Sequence, residues 1–258
     1  MSKPEGTKEF WLAGYRAECE ALAATIGQPD VLALPVPSCP DWTVKDLVLH
    51  LGGLYGWVAR HIDRGVTTTP ERPSQDAWEA AQPASDSDLV AWWTGQYTDL
   101  LTRLEEIDPE LPAWNWAPQP KKAIFWHRRM ALETAVHRWD AQLATGKTVP
   151  IEANLAADGL TEVLDTWLPA GRRHRPDSEP GVVALHATDV DEIWYARLTR
   201  GGIALLDTDT LLDDDDRHER ATVTGTASDI LLAVYERIPF KALDIAGDVW
   251  VLDGLRTG

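Results

Sequence analysis

Glu133 and His137 stand four residues apart in the segment Trp126-His-Arg-Arg-Met-Ala-Leu-Glu133-Thr-Ala-Val-His137-Arg-Trp-Asp140. On a helix, Trp126, Met130, Glu133 and His137 share one stripe by i, i+4, i+7, i+11 spacing. Trp126 and Met130 mark that stripe as the inward one, so Glu133 and His137 point inward too. A buried carboxylate is costly unless it is paired or holds a cation, and two side chains at i and i+4 can reach one ion. A third donor is expected from a facing helix, where His50 lies among Leu47, Leu51 and Leu54. His50, Glu133 and His137 make a two-His, one-carboxylate set with an open position, the pattern of a catalytic rather than a structural zinc site. Iron(II) and other divalent ions accept the same donors.

Each piece also has a plainer explanation. Glu133 and His137 have the spacing of an intrahelical ion pair, and a core histidine can serve as a hydrogen-bonded packing residue. His61, eleven residues after His50, lies on the same face and is a rival ligand or a supporting group. His127 falls one residue off the inward stripe and is expected at the periphery. His174, His186 and His218 have no partner pattern.

These residues need helices to position them. Apolar periodicity predicts a first helix over 8–26, with Trp11, Tyr15, Cys19, Leu22 and Ile26 inward. After a Pro-rich connection, Thr43 and Asp46 form a capping-box signature that opens a second helix, expected to run to about Arg64. Residues 65–84 read as a long loop. Ser85 and Asp88 open a third helix through Ile107, and a second Pro-rich segment bearing Trp114 and Trp116 leads into a fourth over 121–145. A shorter helix is expected at 152–168. The pattern then changes across an Arg-, Pro- and Gly-rich stretch at 171–181. Strands are predicted at 182–186, 193–198, 203–206 and 221–226, then a helix at 228–237 and a last strand at 243–252. This division predicts a helical domain at 1–172 and a small α+β domain at 173–258.

The 258 residues carry 24 Lys and Arg against 41 Asp and Glu, a net charge of −17. That acidity disfavours nucleic acid and anionic membranes as partners. No apolar run approaches a membrane span, and the N-terminal MSKPEGTKEF has no signal-peptide core, so a cytoplasmic protein is expected, either monomer or homodimer. Six of the ten residues from Asp207 to Asp216 are Asp, a run that lacks the ligand spacing of an EF-hand and reads as a solvated hairpin loop. Two cysteines make neither a disulfide scaffold nor a thiolate zinc site. Cys19 lies on a core stripe; Cys39 precedes a helix N-terminus, a place that lowers a thiol pKa, but its position between Pro-bounded residues reads as packing.

The run Ser38-Cys-Pro-Asp-Trp-Thr-Val-Lys-Asp-Leu-Val-Leu-His50-Leu-Gly-Gly resembles the C-P-x-W-T-x-x-D-L-x-x-H-L opening of the mycothiol-dependent maleylpyruvate isomerase family. Met130-Ala-Leu-Glu133-Thr-Ala-Val-His137-Arg-Trp-Asp140-Ala is similar to that family's second signature. Thr224-Gly-Thr-Ala-Ser-Asp-Ile-Leu-Leu and Ile245-Ala-Gly-Asp-Val resemble its second domain. The resemblance implies a DinB-like four-helix bundle holding a divalent metal, usually zinc, followed by a small α+β domain of sterol-carrier type. The family's metal ligands fall on His50, Glu133 and His137, and its active-site aspartate on Asp140. A family arginine of the second domain is placed at Arg237. Leu132 departs from the pattern, since many members carry a second histidine there.

With no cysteine suited to attack, the resemblance implies mycothiol as the reactive sulfur and an electrophilic small molecule as its partner. The outcome is either S-transfer or cis–trans isomerisation of the maleylpyruvate type. The alternative is a non-catalytic protein that sequesters a small molecule, as a resistance factor would, in a pocket lined by Trp114 and Trp116.

Overall fold

A computed structural model describes residues 6–28, 30–170, 181–199, 202–206 and 219–255. It divides into two compact units, Gly6–Val149 and a second from Pro150 to Gly258.

The first unit is a four-helix bundle of α1 (Lys8–Ile26), α2 (Val44–Ala59), α4 (Asp86–Glu106) and α5 (Ile124–Ala144), with the short α3 (Gln75–Ala80) between α2 and α4. The bundle closes as a ring, α1 packing on α5 and α4, and α2 packing on the same two. The helix starts follow local chemistry. Thr7 accepts from Phe10 N, and Thr43 and Asp46 form the reciprocal capping box at the head of α2. At the head of α4, Ser85 instead donates its hydroxyl to the Asp88 carboxylate at 2.7 Å. Just past the end of α5, Gly146 has a φ of +71°, which suits glycine after a helix. α2 ends earlier than expected, at Ala59. The 65–84 stretch contains α3, whose first turn is capped by Ser74; six residues are too short for periodicity to reveal.

α5 is buried on nearly all sides, which is why it can carry polar groups inward. Its Arg138 donates Nε to Glu18 of α1 at 2.5 Å and also reaches Gln142, so a buried ion pair ties the two helices. α2 is held from its other side: the rings of Trp92 and Trp78 lie where a Cβ on Gly52 or Gly53 would stand, 2.3 Å from each. Only glycine lets α4 and α3 approach α2 this closely.

The second unit begins with α6 (Ala153–Glu162) and a π-helical turn, Val163–Trp167. α6 packs on α7 (Ala227–Val234), so it belongs with the sheet, whereas its amphipathic stripe suggested the helical part; a stripe does not say which neighbour covers it. The sheet has five strands, β1 (Gly181–Ala187), β2 (Glu192–Thr199), β3 (Gly202–Leu206), β4 (Glu219–Gly225) and β5 (Asp244–Gly247), in the order β3-β2-β1-β4-β5. β1 and β4 run parallel and the other neighbours antiparallel. The expected last strand at 243–252 is shorter. From Val249 to Leu255 the chain is 3₁₀-helical, with Val251, Leu252 and Leu255 buried. Most of the 171–181 stretch, the Asp207–Asp216 run, His174 and His218 lie outside the described residues.

Candidate metal centre

His50 comes from the middle of α2 and Glu133 and His137 from α5, with Met130 buried one turn before Glu133. His50 Nε2 lies 3.2 Å and His137 Nε2 3.5 Å from the same Glu133 oxygen, Oε1. One donor atom from each of the three falls within 4.8 Å of the others. Tetrahedral zinc with bonds of about 2.0–2.1 Å has ligand atoms about 3.3–3.4 Å apart. The donor set and its spacing therefore fit a divalent ion with a position left over.

The surroundings fix each donor. Glu133 Oε2 accepts from Arg129, four residues back and buried. Burial works against the Glu133 carboxylate, but the Arg129 charge and hydrogen bonds from His137 and His50 outweigh it and hold its pKa well below the usual range. His137 Nδ1 donates to Asp140 Oδ2 at 2.9 Å. Burial disfavours its imidazolium, yet the contacts with Asp140, Cys39 and Glu133 push its pKa well above the ordinary value. Asp140 is fully buried; its Oδ1 accepts from Ser38 Oγ at 2.6 Å, and the Cys39 sulfur lies 3.6 Å from its Oδ2. The chain Ser38–Asp140–His137 holds the imidazole with Nε2 facing Glu133, the carboxylate–histidine arrangement common behind metal ligands. Trp42 closes one side, 5.1 Å from His50 and stacked 6.2 Å from His137.

Cys39, His137 and Asp140 form a second cluster with metal-ligand spacing. It shares His137 with the first, and both Asp140 oxygens already accept hydrogen bonds, so His50, Glu133 and His137 are the better set.

Among the other sequence candidates, His61 is apart from these donors, packed against Trp57, Trp114 and Trp126. His127 is buried rather than peripheral, its two nitrogens 3.0 Å and 2.8 Å from the Ala123 and Leu104 carbonyls. Leu132 is a core residue. Arg237 is on the second unit, where it donates to the Tyr235 carbonyl at 2.9 Å. Sequence reasoning missed Arg129, although its i, i+4 spacing to Glu133 was a usable signal. It also missed Ser38 and Trp42, and favoured packing for Cys39 over any role beside Asp140.

Two family profiles match the chain: "Mycothiol maleylpyruvate isomerase N-terminal domain" over residues 15–142 and "MDMPI C-terminal domain" over residues 154–254. The chain belongs to the mycothiol-dependent maleylpyruvate isomerase family. Two solved structures are similar over 94% of this chain and 95% of theirs. One is the mycothiol-dependent maleylpyruvate isomerase, at 13% identity and TM-score 0.64. The other is a histidine-to-alanine mutant of that isomerase, at 12% identity and TM-score 0.65. No curated protein matches. The isomerase-family fold is thus a DinB-like helical bundle followed by a small α+β unit. Among the described residues, no helix is long and apolar enough to cross a membrane.

Proposed function

We propose that this isomerase-family chain is a metal-dependent enzyme that takes mycothiol as cosubstrate and reacts its sulfur with an electrophilic small molecule. The observation that carries this reading is the convergence of His50, Glu133 and His137 around one point, with Asp140 and Arg129 each committed to one of the donors. His50, Glu133 and His137 would hold a divalent ion, zinc by their donor chemistry, and the ion would supply a lowered pKa to a thiol. Asp140, steadied by Ser38, keeps the proton of His137 on Nδ1. Arg129 keeps Glu133 ionised, and Trp42 limits water beside the two imidazoles. Arg237 is the candidate for a substrate carboxylate, because a guanidinium fork matches one.

Two outcomes follow from attack by the sulfur. Addition to a conjugated cis double bond, rotation about the resulting single bond and expulsion of the same sulfur gives the trans isomer and returns the thiol. If a leaving group departs with its electron pair instead, the sulfur stays on carbon and the product is a thioether. The structural neighbours are isomerases, which favours the first, and their low identity leaves S-transfer as the alternative. A cytoplasmic location suits both, and neither cysteine is in a disulfide.

The test is metal analysis of the purified protein with a mycothiol-consumption assay on cis-dienoate and alkylating electrophiles. The expected result is about one zinc per chain, lost in His50→Ala and His137→Ala, together with turnover. Full metal content in both variants overturns the site. Tight ligand binding without product supports sequestration instead.

A further inference from the structure

We propose that the aromatic cluster around His61 is a binding subsite for a planar group carrying an N–H or O–H donor, with His61 Nε2 as the acceptor. The cluster is built within the first unit. Trp57 and His61 come from the end of α2 and the turn after it, Trp126 from the first turn of α5, and Trp114 from the segment before α5. The His61 ring centroid lies 4.2 Å from that of Trp57, 5.1 Å from Trp126 and 6.1 Å from Trp114.

The tautomer of His61 is set by the helix it follows. Its Nδ1 is 2.8 Å from the Trp57 carbonyl, one of the last-turn carbonyls that a helix leaves without an internal partner. An acceptor there requires the proton on Nδ1. Burial pushes the His61 pKa down, so the ring is neutral and Nε2 presents a lone pair. That lone pair has no hydrogen-bond partner among the described residues, and His61 is 3% exposed. A buried acceptor left unsatisfied is destabilising. Packing does not require this atom: a ring without nitrogen would fill the same space. The nearby indole N–H of Trp126 is directed elsewhere, to the Trp114 carbonyl at 2.7 Å. Trp57 and Trp114 are half-buried, so two of the cluster's indoles are partly exposed. Flat indole faces favour a planar partner, and the His61 acceptor beside them requires that it carry a donor.

Position supplies the substrate class, and here the inference rests on the thiol-electrophile reading above. Trp57 follows His50 by seven residues and Trp126 precedes Glu133 by seven, so on both helices the cluster is two turns from the metal donors, about 10 Å. Leu54 and Met130 lie between. The electrophile is therefore an extended molecule, with a donor-bearing aromatic or heteroaromatic end about 10 Å from its reacting carbon. A compact dicarboxylate would leave His61 unpaired.

The test is isothermal titration calorimetry of the metal-free, thiol-free protein with 2-naphthol and with 2-methoxynaphthalene, probes of one shape that differ in the donor. Wild type is expected to bind 2-naphthol at least about tenfold more tightly, the worth of one hydrogen bond to a buried acceptor. His61→Phe is expected to bring the two together, and Trp114→Ala to weaken both. Equal affinities in wild type, as an interior water on Nε2 would give, overturn the proposal, as does failure of wild type to bind either probe. The comparison in wild type decides the matter even if a variant does not fold. Because neither metal nor mycothiol is present, a negative result here is separate from a negative result in the thiol assay.

Discussion

His137 donates its Nδ1 proton to Asp140 one turn further along the same helix, at 2.9 Å, and the opposite nitrogen is thereby left facing Glu133. Asp140 is thus a positioning residue, acting through the imidazole. Asp140→Asn keeps the shape but weakens this hold. Zinc affinity is expected to fall about 10–100-fold, the usual effect of removing such a partner, with the circular dichroism spectrum unchanged. Competition with a chromophoric chelator measures it.

Arg129 sets the pH range of the same site. In Arg129→Met, burial of Glu133 is no longer outweighed by the neighbouring positive charge, so the Glu133 pKa rises. Protons then compete with the metal at higher pH than in wild type. Metal content measured from pH 8 downward is expected to drop earlier in the variant. Coincident profiles would show that Arg129 has no influence on Glu133.

The capping box of α2 gives a stability prediction with a defined sign. Thr43 hydrogen bonds hold the Asp46 pKa below its reference of 3.8. A depressed folded pKa means stability that is fully present above the unfolded value and lost as pH falls through the folded one. Thr43→Ala is expected to cost about 1 kcal/mol at neutral pH in urea unfolding. The difference between wild type and Asp46→Asn is expected to shrink below pH 3.8.

Two glycines with positive φ differ in what surrounds them. At Gly247, φ is +91° and a Cβ would stand 2.2 Å from the Arg220 carbonyl oxygen; at Gly146, φ is +71° with open space around it. Gly146→Ala is expected to cost the backbone strain of about 1 kcal/mol. Gly247→Ala also has to part β4 from β5, and is expected to lower the melting temperature much further. Differential scanning calorimetry of the two variants compares them directly.

The helices of the bundle were legible because apolar spacing and capping residues act locally: α1 runs over the residues its stripe indicated, and α2 begins at the Thr43–Asp46 box. The gathering of His50, Glu133 and His137 could be read from inward stripes on two helices. The contacts of Asp140 with Ser38 and Cys39 could not, since they span about a hundred residues and no periodicity encodes them. Nor could the placement of α6, because its stripe fits a bundle and a sheet equally well. Nor could the packing of His61 among indoles, which depends on where the 112–120 segment folds back.

The glycine face of α2 has a mechanical consequence. Indole rings seated on Gly52 and Gly53 act as dowels, fixing the depth and roll of the helix that carries His50. The imidazole is therefore indexed to its place by parts that never meet an ion or a thiol. Enlarging either socket shifts a donor atom without changing the donor chemistry, so the tolerance of the centre is machined into residues that are not donors.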